Sequence, residues 1–351
     1  MGTLKQATTN VTSIKNDITT CHTTLKNTLN NLGVSTSNLK LLALIQSINN
    51  IPGINQLQKI PKWCTSFSLS NVWISSGATS IPAVRTDHTA VAVGTKIYVM
   101  GGEYGDSYDT HYCYDTTNNT WSTKTNLPAV RSNHAAVAVG TKIYVIGGTN
   151  GSTYFNTTYC YDTTNNTWTT LANAPAARCG WTAVAVGNRI HVMGGWGSNG
   201  FSSAHYYYDI SSNTWTTSVG LPTTKARHAA VAVGTNIYII GGTTSGATDT
   251  IYCYDTNATM YTSYTRIPAK IVDGSAVVSG NNIYFMGGWD HTNTYYNTNY
   301  CYSISGNTWS TLVAMPGTRA NHTAVLVGNV VYVMGGADKH NKYKDVYCFI
   351  V

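Results

Sequence analysis

A pair of adjacent glycines recurs six times along the chain and constrains its fold more than any other feature. The pairs begin at Gly101, Gly147, Gly194, Gly241, Gly287 and Gly335, with 46 to 48 residues between successive pairs. Each pair is surrounded by the same series of segments. An apolar run, a turn and an aliphatic segment precede the pair, and a variable loop, a tyrosine-rich segment and a polar turn before tryptophan follow it. This series predicts four short strands, and a period of this length is typical of one β-propeller blade.

The tyrosine-rich segment and its tryptophan keep a fixed spacing. Tyr114 precedes Trp121 by seven residues, and the same spacing returns in other copies. The double glycine, the Tyr-Cys-Tyr-Asp segment and this tryptophan resemble the kelch repeat over residues 71–351. The resemblance implies an all-β fold, a six-bladed kelch-type β-propeller. It does not imply one function, because kelch propellers serve as scaffolds, adaptors, lectin-like binders and occasionally enzymes.

The two ends of the repeated region are complementary. The last copy ends after the strand that contains Cys348 and lacks a following tryptophan strand. A matching Asn-Val-Trp segment ends at Trp73, ahead of the first complete copy. We therefore expect an N-terminal strand to complete the sixth blade and close the ring, which removes an open sheet edge.

Composition excludes several classes of partner. The net charge is +7, yet no run of Lys or Arg of the kind that binds nucleic acid occurs. No apolar stretch reaches the ~18 residues of a membrane helix, and the polar N-terminus has no apolar signal core. We expect neither a nucleic-acid nor a membrane partner, and no export signal.

The histidines and cysteines do not form a metal-binding pattern. No CxxC, HxH or HExxH spacing occurs. A copper enzyme of the galactose-oxidase type, which the kelch resemblance keeps as a less favoured alternative, needs tyrosine and histidine ligands that converge at one mouth. Here the histidines recur in register at His88, His134, His228 and His322. We expect a non-enzymatic protein with no catalytic residue, no cofactor and no metal.

Two kinds of loop are expected to open on the same face of the propeller. The loops between the second and third strands vary in length and carry aromatic residues, and the loops between blades carry basic residues. Aromatic rings stack on sugar faces, and guanidinium groups bind carboxylate or phosphate. The predicted ligand-binding residues are Arg85, Arg131, Arg178, Arg227, Arg319, Tyr104, Tyr154, Trp196, Phe201, Trp289, His291 and Tyr295. In the alternative interpretation, the arginines bond the local backbone.

Residues 1–60 are predicted to form a separate module, with the propeller in residues 61–351. Apolar residues from Leu4 to Leu32 follow a heptad pattern that ends at Gly33, and a second short helix is expected before Pro52. Either the two helices pack on each other as a hairpin or several chains wind together, and the heptad pattern favours the second, a coiled-coil-like attachment module in a homo-oligomer such as a trimer. The segment resembles parts of tail and appendage proteins from phages and prophages of Gram-positive bacteria.

The two resemblances together imply a virion protein. The expected function is that of a fibre or baseplate protein of a phage or phage-tail-like particle, assembled in the bacterial cytoplasm. Its propeller would bind a host cell-surface receptor, a glycan or anionic polymer or a protein, and residues 1–60 would contact other virion proteins. The alternative is a structural decoration or scaffold propeller whose faces contact virion proteins.

Overall fold

A computed structural model of the protein describes residues 71–74 and 78–351. The predicted helical module of residues 1–60 lies outside these ranges. Within them, every regular element is a β-strand, and no helix is long and apolar enough to cross a membrane. The all-β prediction is confirmed for this part of the chain.

The strands are short and lie at regular intervals. In chain order they are β1 (Val72–Ile74), β2 (Thr89–Val93), β3 (Lys96–Met100), β4 (Glu103–Tyr104), β5 (Asp106–Ser107), β6 (His111–Asp115), β7 (Thr120–Thr123), β8 (Ala135–Val139), β9 (Lys142–Ile146), β10 (Thr158–Asp162), β11 (Thr167–Leu171), β12 (Cys179–Val186), β13 (Arg189–Gly197), β14 (Gly200–Phe201), β15 (His205–Asp209), β16 (Thr214–Thr217), β17 (Ala229–Val233), β18 (Asn236–Ile240), β19 (Ile251–Asp255), β20 (Met260–Tyr264), β21 (Ser275–Ser279), β22 (Asn282–Met286), β23 (Asn299–Ser303), β24 (Thr308–Thr311), β25 (Thr323–Val327), β26 (Val330–Met334) and β27 (Val346–Ile350).

These strands form six blade sheets, one for each glycine pair, and a separate two-stranded sheet of β4 and β5. Blade 1 has the strand order β2-β3-β6-β7, blade 2 β8-β9-β10-β11, blade 3 β12-β13-β15-β16, blade 4 β17-β18-β19-β20, and blade 5 β21-β22-β23-β24. The sixth sheet contains the strands β27, β26 and β25 in that order. Closure of this sheet by an N-terminal strand stays a prediction. The first strands of consecutive blades are neighbours around a closed ring, and β25 adjoins β2. The protein is a six-bladed β-propeller.

The chain divides into a large unit, residues 78–349, and a smaller one that contains β1 and residues 350–351. In the smaller unit the amide of Asn71 donates to the carbonyl of Ile350 at 2.7 Å. In the large unit the ring closes between blades 1 and 6, where the amide of Asp87 donates to the carbonyl of Asn321 at 3.2 Å.

Repeated tyrosines fill the space between blades. Tyr161 of blade 2 is fully buried and packs against Tyr98 of blade 1 and Trp168 of its own blade. Its hydroxyl donates to the Asn166 side chain at 2.6 Å, which satisfies the one polar atom that burial would otherwise leave unpaired. The aromatic residues of the repeat therefore stabilise the fold.

Candidate functional site

Six residues at one repeat position surround the propeller axis, and we call them the mouth ring. They are Asp87, Asn133, Gly180, Arg227, Asp273 and Asn321. The amide of each donates to the carbonyl of the ring residue in the preceding blade, at 2.8 to 3.2 Å, so six backbone hydrogen bonds form a closed circle. The side chains of the ring line a cavity of about 120 Å³. The circle fixes the position of these side chains relative to one another.

All six ring residues have a left-handed backbone, with φ between 52° and 61°. Asn, Asp and Gly tolerate this conformation, and five of the six positions carry one of them. Arg227 is the exception at a φ of 53°. A left-handed conformation costs such a side chain about 1–2 kcal/mol, so other interactions of Arg227 must offset the strain.

Arg227 joins two neighbouring blades. Its guanidinium carbon lies 4.9 Å from the ring centre of Trp196 in blade 3, and its Nη1 donates to Asp273 of blade 5 at 3.1 Å. The same Asp273 oxygen accepts a hydrogen bond from the indole of Trp289 at 2.9 Å. Trp196 also covers Gly180, where a Cβ would lie 1.7 Å from the indole. Two tryptophans, one arginine and one aspartate thus form a continuous surface at the mouth.

Trp196 and Trp289 occupy the same repeat position, directly after the glycine pair, and each has an aromatic residue opposite it. Trp196 pairs with Phe201 in the β13–β14 hairpin, and Trp289 forms an isolated bridge with Tyr295. Trp289 is stacked with Tyr295 at 5.6 Å and with the exposed His291 at 4.5 Å, both at 15° between planes. Phe201 is 42% exposed. Six predicted residues therefore lie together at the mouth: Arg227, Trp196, Phe201, Trp289, His291 and Tyr295.

Two predicted aromatic residues lie apart from this group. Tyr104 of blade 1 is exposed, and the ammonium of Lys342 lies 5.5 Å from its ring centre. Tyr154 of blade 2 is half-buried and bridges Thr149, which stands where blades 3 and 5 have tryptophan. These two tyrosines belong to loops of the mouth face, but no contact joins them to the Trp196 and Trp289 groups.

The arginines of the loops between blades differ from the prediction. Arg85, Arg131 and Arg319 are at most 1% exposed. Each donates through Nη1 to the carbonyl of its blade's first paired glycine, at 2.8 or 2.9 Å. Each also lies over tyrosine or phenylalanine rings at 4.2 to 5.3 Å. These three guanidinium groups have a structural role and leave no surface for a ligand, as in the alternative interpretation.

Lys225 replaces this arginine in blade 4. It is fully buried and donates to the carbonyl of Gly241 at 2.6 Å. Blade 5 has Ile271 there, and only blade 3 keeps a partly exposed arginine, Arg178. The predicted basic ring is therefore mostly internal, and Arg227 belongs to the mouth ring instead.

The mouth also carries acidic groups. Burial, with the nearby charges of Asp273 and Glu103, raises the pKa of Asp87 to about 6. Its Oδ1 accepts a hydrogen bond from Asn321 at 2.5 Å. Glu103, the single glutamate of the chain, accepts a hydrogen bond from Ser132 at 2.8 Å. The mouth therefore combines hydrogen-bond donors and acceptors with little excess charge of either sign.

Histidines form the layer beneath the mouth ring. His88, His134, His228 and His322 are almost fully buried. His88, His134 and His228 each form a hydrogen bond between Nε2 and a threonine hydroxyl of the preceding blade, at 2.7 to 3.1 Å. Burial lowers the pKa of His134, His228 and His322 to about 3 and that of His88 well below its usual value. These histidines are neutral packing groups at neutral pH.

The sequence prediction did not include five members of the mouth ring: Asp87, Asn133, Gly180, Asp273 and Asn321. One sequence pattern could have indicated these positions. In blades 1, 2 and 6 the residue directly before the repeated histidine is Asp or Asn. In residues 71–74 and 78–351, no group of three or more His, Cys, Asp or Glu side chains is placed to hold a metal ion.

Comparison with protein-family models gives one match. The model of the KLHDC2/KLHL20/DRC7 Kelch-repeats domain matches residues 87–264 and 227–351. These two ranges together cover more than half of the chain. Comparison with curated proteins finds no match.

Proposed function

The chain belongs to the Kelch-repeat family, and from this premise we propose that the propeller binds a saccharide at its mouth face. The family supports a binding or protein-interaction role. The observation that carries the saccharide proposal is the group in which Trp196, Arg227, Asp273 and Trp289 lie side by side. Carbohydrate recognition needs flat apolar surfaces for sugar rings and a few fixed polar groups for hydroxyls.

The buried and paired charges of the mouth favour a hydroxyl-rich ligand over one that is held by a ring of arginines. Four of the basic residues in the inter-blade loops are buried in backbone interactions, and the Arg227 charge is paired with Asp273. Asp87 and Glu103 add acceptors that sugar hydroxyls satisfy as donors. Phe201 adds an exposed ring beside Trp196, where burial against a sugar face removes apolar area from water.

We propose further that the chain acts as a non-enzymatic virion protein of a phage or phage-tail-like particle. In this proposal residues 1–60 attach the protein to other virion proteins and join several copies, and the propeller displays its mouth to a host cell. The support is the resemblance of that segment to tail and appendage proteins, together with a mouth face built for binding.

The proposal is tested by binding of the full chain to a glycan array and to intact Gram-positive cells. Phe201→Ser removes an exposed aromatic ring without opening the core, so we expect about a fivefold loss of affinity, corresponding to roughly 1 kcal/mol. Met260→Ser is the matched control, because Met260 is also exposed but lies at the other end of blade 4, opposite Asp255. Equal binding by wild type and both variants contradicts the proposal. Failure to bind any saccharide or cell, with capture of virion proteins, supports the scaffold alternative.

A further inference from the structure

Arg178 occupies the same repeat position as the three buried arginines but makes none of their side-chain hydrogen bonds. In blade 1 the Arg85 guanidinium donates to the carbonyl of Gly101 at 2.8 Å and to the hydroxyl of Thr110 at 3.0 Å. Arg178 is partly exposed, and its Nε, like those of Arg85 and Arg319, is buried without a hydrogen-bond partner among the residues that the structure describes. Its guanidinium also has no ion pair with any of them. One basic group of the mouth face is therefore available.

Two substitutions in blade 3 explain this difference. The threonine hydroxyls that receive the arginine in blades 1 and 2 are replaced by Ala204, which has no acceptor. The aromatic ring that lies under the guanidinium, Tyr108 in blade 1, is replaced by Ser202. The Ser202 hydroxyl accepts a hydrogen bond from the Ala204 amide at 3.0 Å. Blade 3 has therefore lost two of the groups that hold the arginines of blades 1 and 2 inside the propeller.

Arg178 lies at the edge of the Trp196 group. A Cβ built on Gly197 would be 3.7 Å from the Arg178 Cγ, and Gly197 follows Trp196 in β13. The Arg178 carbonyl accepts a hydrogen bond from the Gly148 amide at 2.9 Å, which fixes its backbone. Arg227, on the Trp196 ring, has its charge paired with Asp273. Beside Trp196, Arg178 is thus an unpaired positive charge on an ordered backbone.

We infer that Arg178 binds an oxyanion carried by the ligand at the blade 3 side of the mouth. The ligand class is an acidic saccharide or polyol polymer, with a carboxylate or a phosphate that receives the planar guanidinium through two parallel hydrogen bonds. The saccharide part of this inference rests on the proposed function. The acidic residues of the mouth lie in blades 1 and 5, so the anionic group is directed toward blade 3.

The test measures affinities of the full chain for three probes of matched length by calorimetry: a neutral galactan oligomer, an oligogalacturonate and a glycerol phosphate oligomer. Arg178→Gln should weaken binding of an acidic probe at least about tenfold, as expected for loss of a charge-assisted pair, and leave the neutral probe unchanged. The two acidic probes separate a carboxylate from a phosphate ligand. Arg189→Gln is the control, since it removes the same charge from the far end of β13.

A second variant keeps the charge of Arg178 but gives its guanidinium internal partners, so that the group no longer reaches a ligand. The double substitution Ser202→Tyr and Ala204→Thr restores the ring and the hydroxyl that hold the equivalent arginines. We expect it to weaken acidic probes as Arg178→Gln does, with a melting temperature at or above that of the wild type. Unchanged acidic binding in Arg178→Gln, or no wild-type binding of either acidic probe, overturns the inference. If the neutral galactan oligomer still binds in either of these outcomes, the inference about Arg178 fails but the proposed function stands. If the wild type binds none of the three saccharide probes, the inference and the proposed function are both refuted.

Discussion

The guanidinium of Arg227 lies between the indole of Trp196, 4.9 Å from its ring centre, and the carboxylate of Asp273, 3.1 Å from its Nη1. This contact connects blades 3, 4 and 5 at the mouth. The Asp273 side chain is only 7% exposed, and its carboxylate contacts the Arg227 guanidinium and accepts a hydrogen bond from Trp289. The same residues that we propose to bind a ligand thus also stabilise the neighbouring blades.

Removal of the Arg227 charge should therefore destabilise the propeller. Arg227→Gln leaves the buried Asp273 carboxylate without its cation, and we expect a loss of about 2–3 kcal/mol in the free energy of unfolding, measured by urea denaturation. Arg266→Gln is the control, because the Arg266–Asp249 pair is shorter, at 2.7 Å, but the arginine is 68% exposed. That variant should change stability by less than about 1 kcal/mol. Equal effects of the two substitutions would contradict this assignment.

The first glycine of each pair makes room for the next blade. A Cβ on Gly101 would lie 2.5 Å from the Arg131 carbonyl oxygen and 2.8 Å from Cε1 of His134. We expect Gly101→Ala to destabilise the protein by about 3 kcal/mol or more, from the left-handed φ of 58° and the clash together. Gly94→Ala has the same type of φ, 61°, but no atom within 4 Å. It should lose only about 1–2 kcal/mol when both variants are compared by urea denaturation, and equal losses would show that the blade contact is unimportant.

The buried histidines predict acid sensitivity. His134 has a folded pKa of about 3, below its value of 6.5 in an unfolded chain, because burial disfavours its charged form. The unfolded state therefore binds more protons between pH 6.5 and 3, and stability must fall as pH decreases through that window. Each such histidine contributes a slope of up to ~1.4 kcal/mol per pH unit. His134→Gln should reduce the slope of unfolding free energy against pH, whatever its effect at pH 7. An unchanged slope would refute the burial of a neutral imidazole.

Asp87 should change the pH dependence of stability in the opposite direction to the histidines. Its folded pKa of about 6 lies above the ordinary 3.8, so the folded state binds the extra proton and gains stability as pH falls from 6 to 4. Asp87→Asn keeps a residue that tolerates the left-handed backbone of the mouth ring and removes the charge. We expect it to be more stable than the wild type at pH 7 by about 1 kcal/mol, a value discounted from the shift because the side chain is half-buried. The advantage should vanish by pH 4 in paired denaturation curves, and a constant difference would contradict the raised pKa.

The repeat predicted the architecture because each blade buries the same faces. The spacing of the glycine pairs, the tyrosines and the tryptophans predicted six four-stranded blades, and the sheet order confirms that there are six blades. The mouth ring was not predicted, since its circle of hydrogen bonds depends on backbone geometry that no side-chain pattern specifies. Only the Asn and Asp residues that tolerate a positive φ gave a local signal.

The role of the arginines was the least predictable part of the site. Arg85 and Arg178 have the same place in the repeat, yet one is buried and the other is partly exposed. The difference arises from residues 25 and 26 positions further along the chain, the hydrogen-bond acceptor Thr110 in blade 1 and its replacement Ala204 in blade 3. The sequence shows that a loop carries a charged residue. Only the hydrogen bonds of the folded chain decide whether that charge reaches solvent.

The central claim, that the mouth face receives the ligand, is tested most directly by hydroxyl-radical footprinting with and without the saccharide that the glycan array selects. Phe201 and His291 are exposed at the mouth, and Met260 is exposed at the opposite end of blade 4. We predict that the saccharide lowers oxidation of Phe201 and His291 and leaves Met260 unchanged. Protection of Met260 with no protection of Phe201 or His291 would place the ligand on the other face and contradict the account.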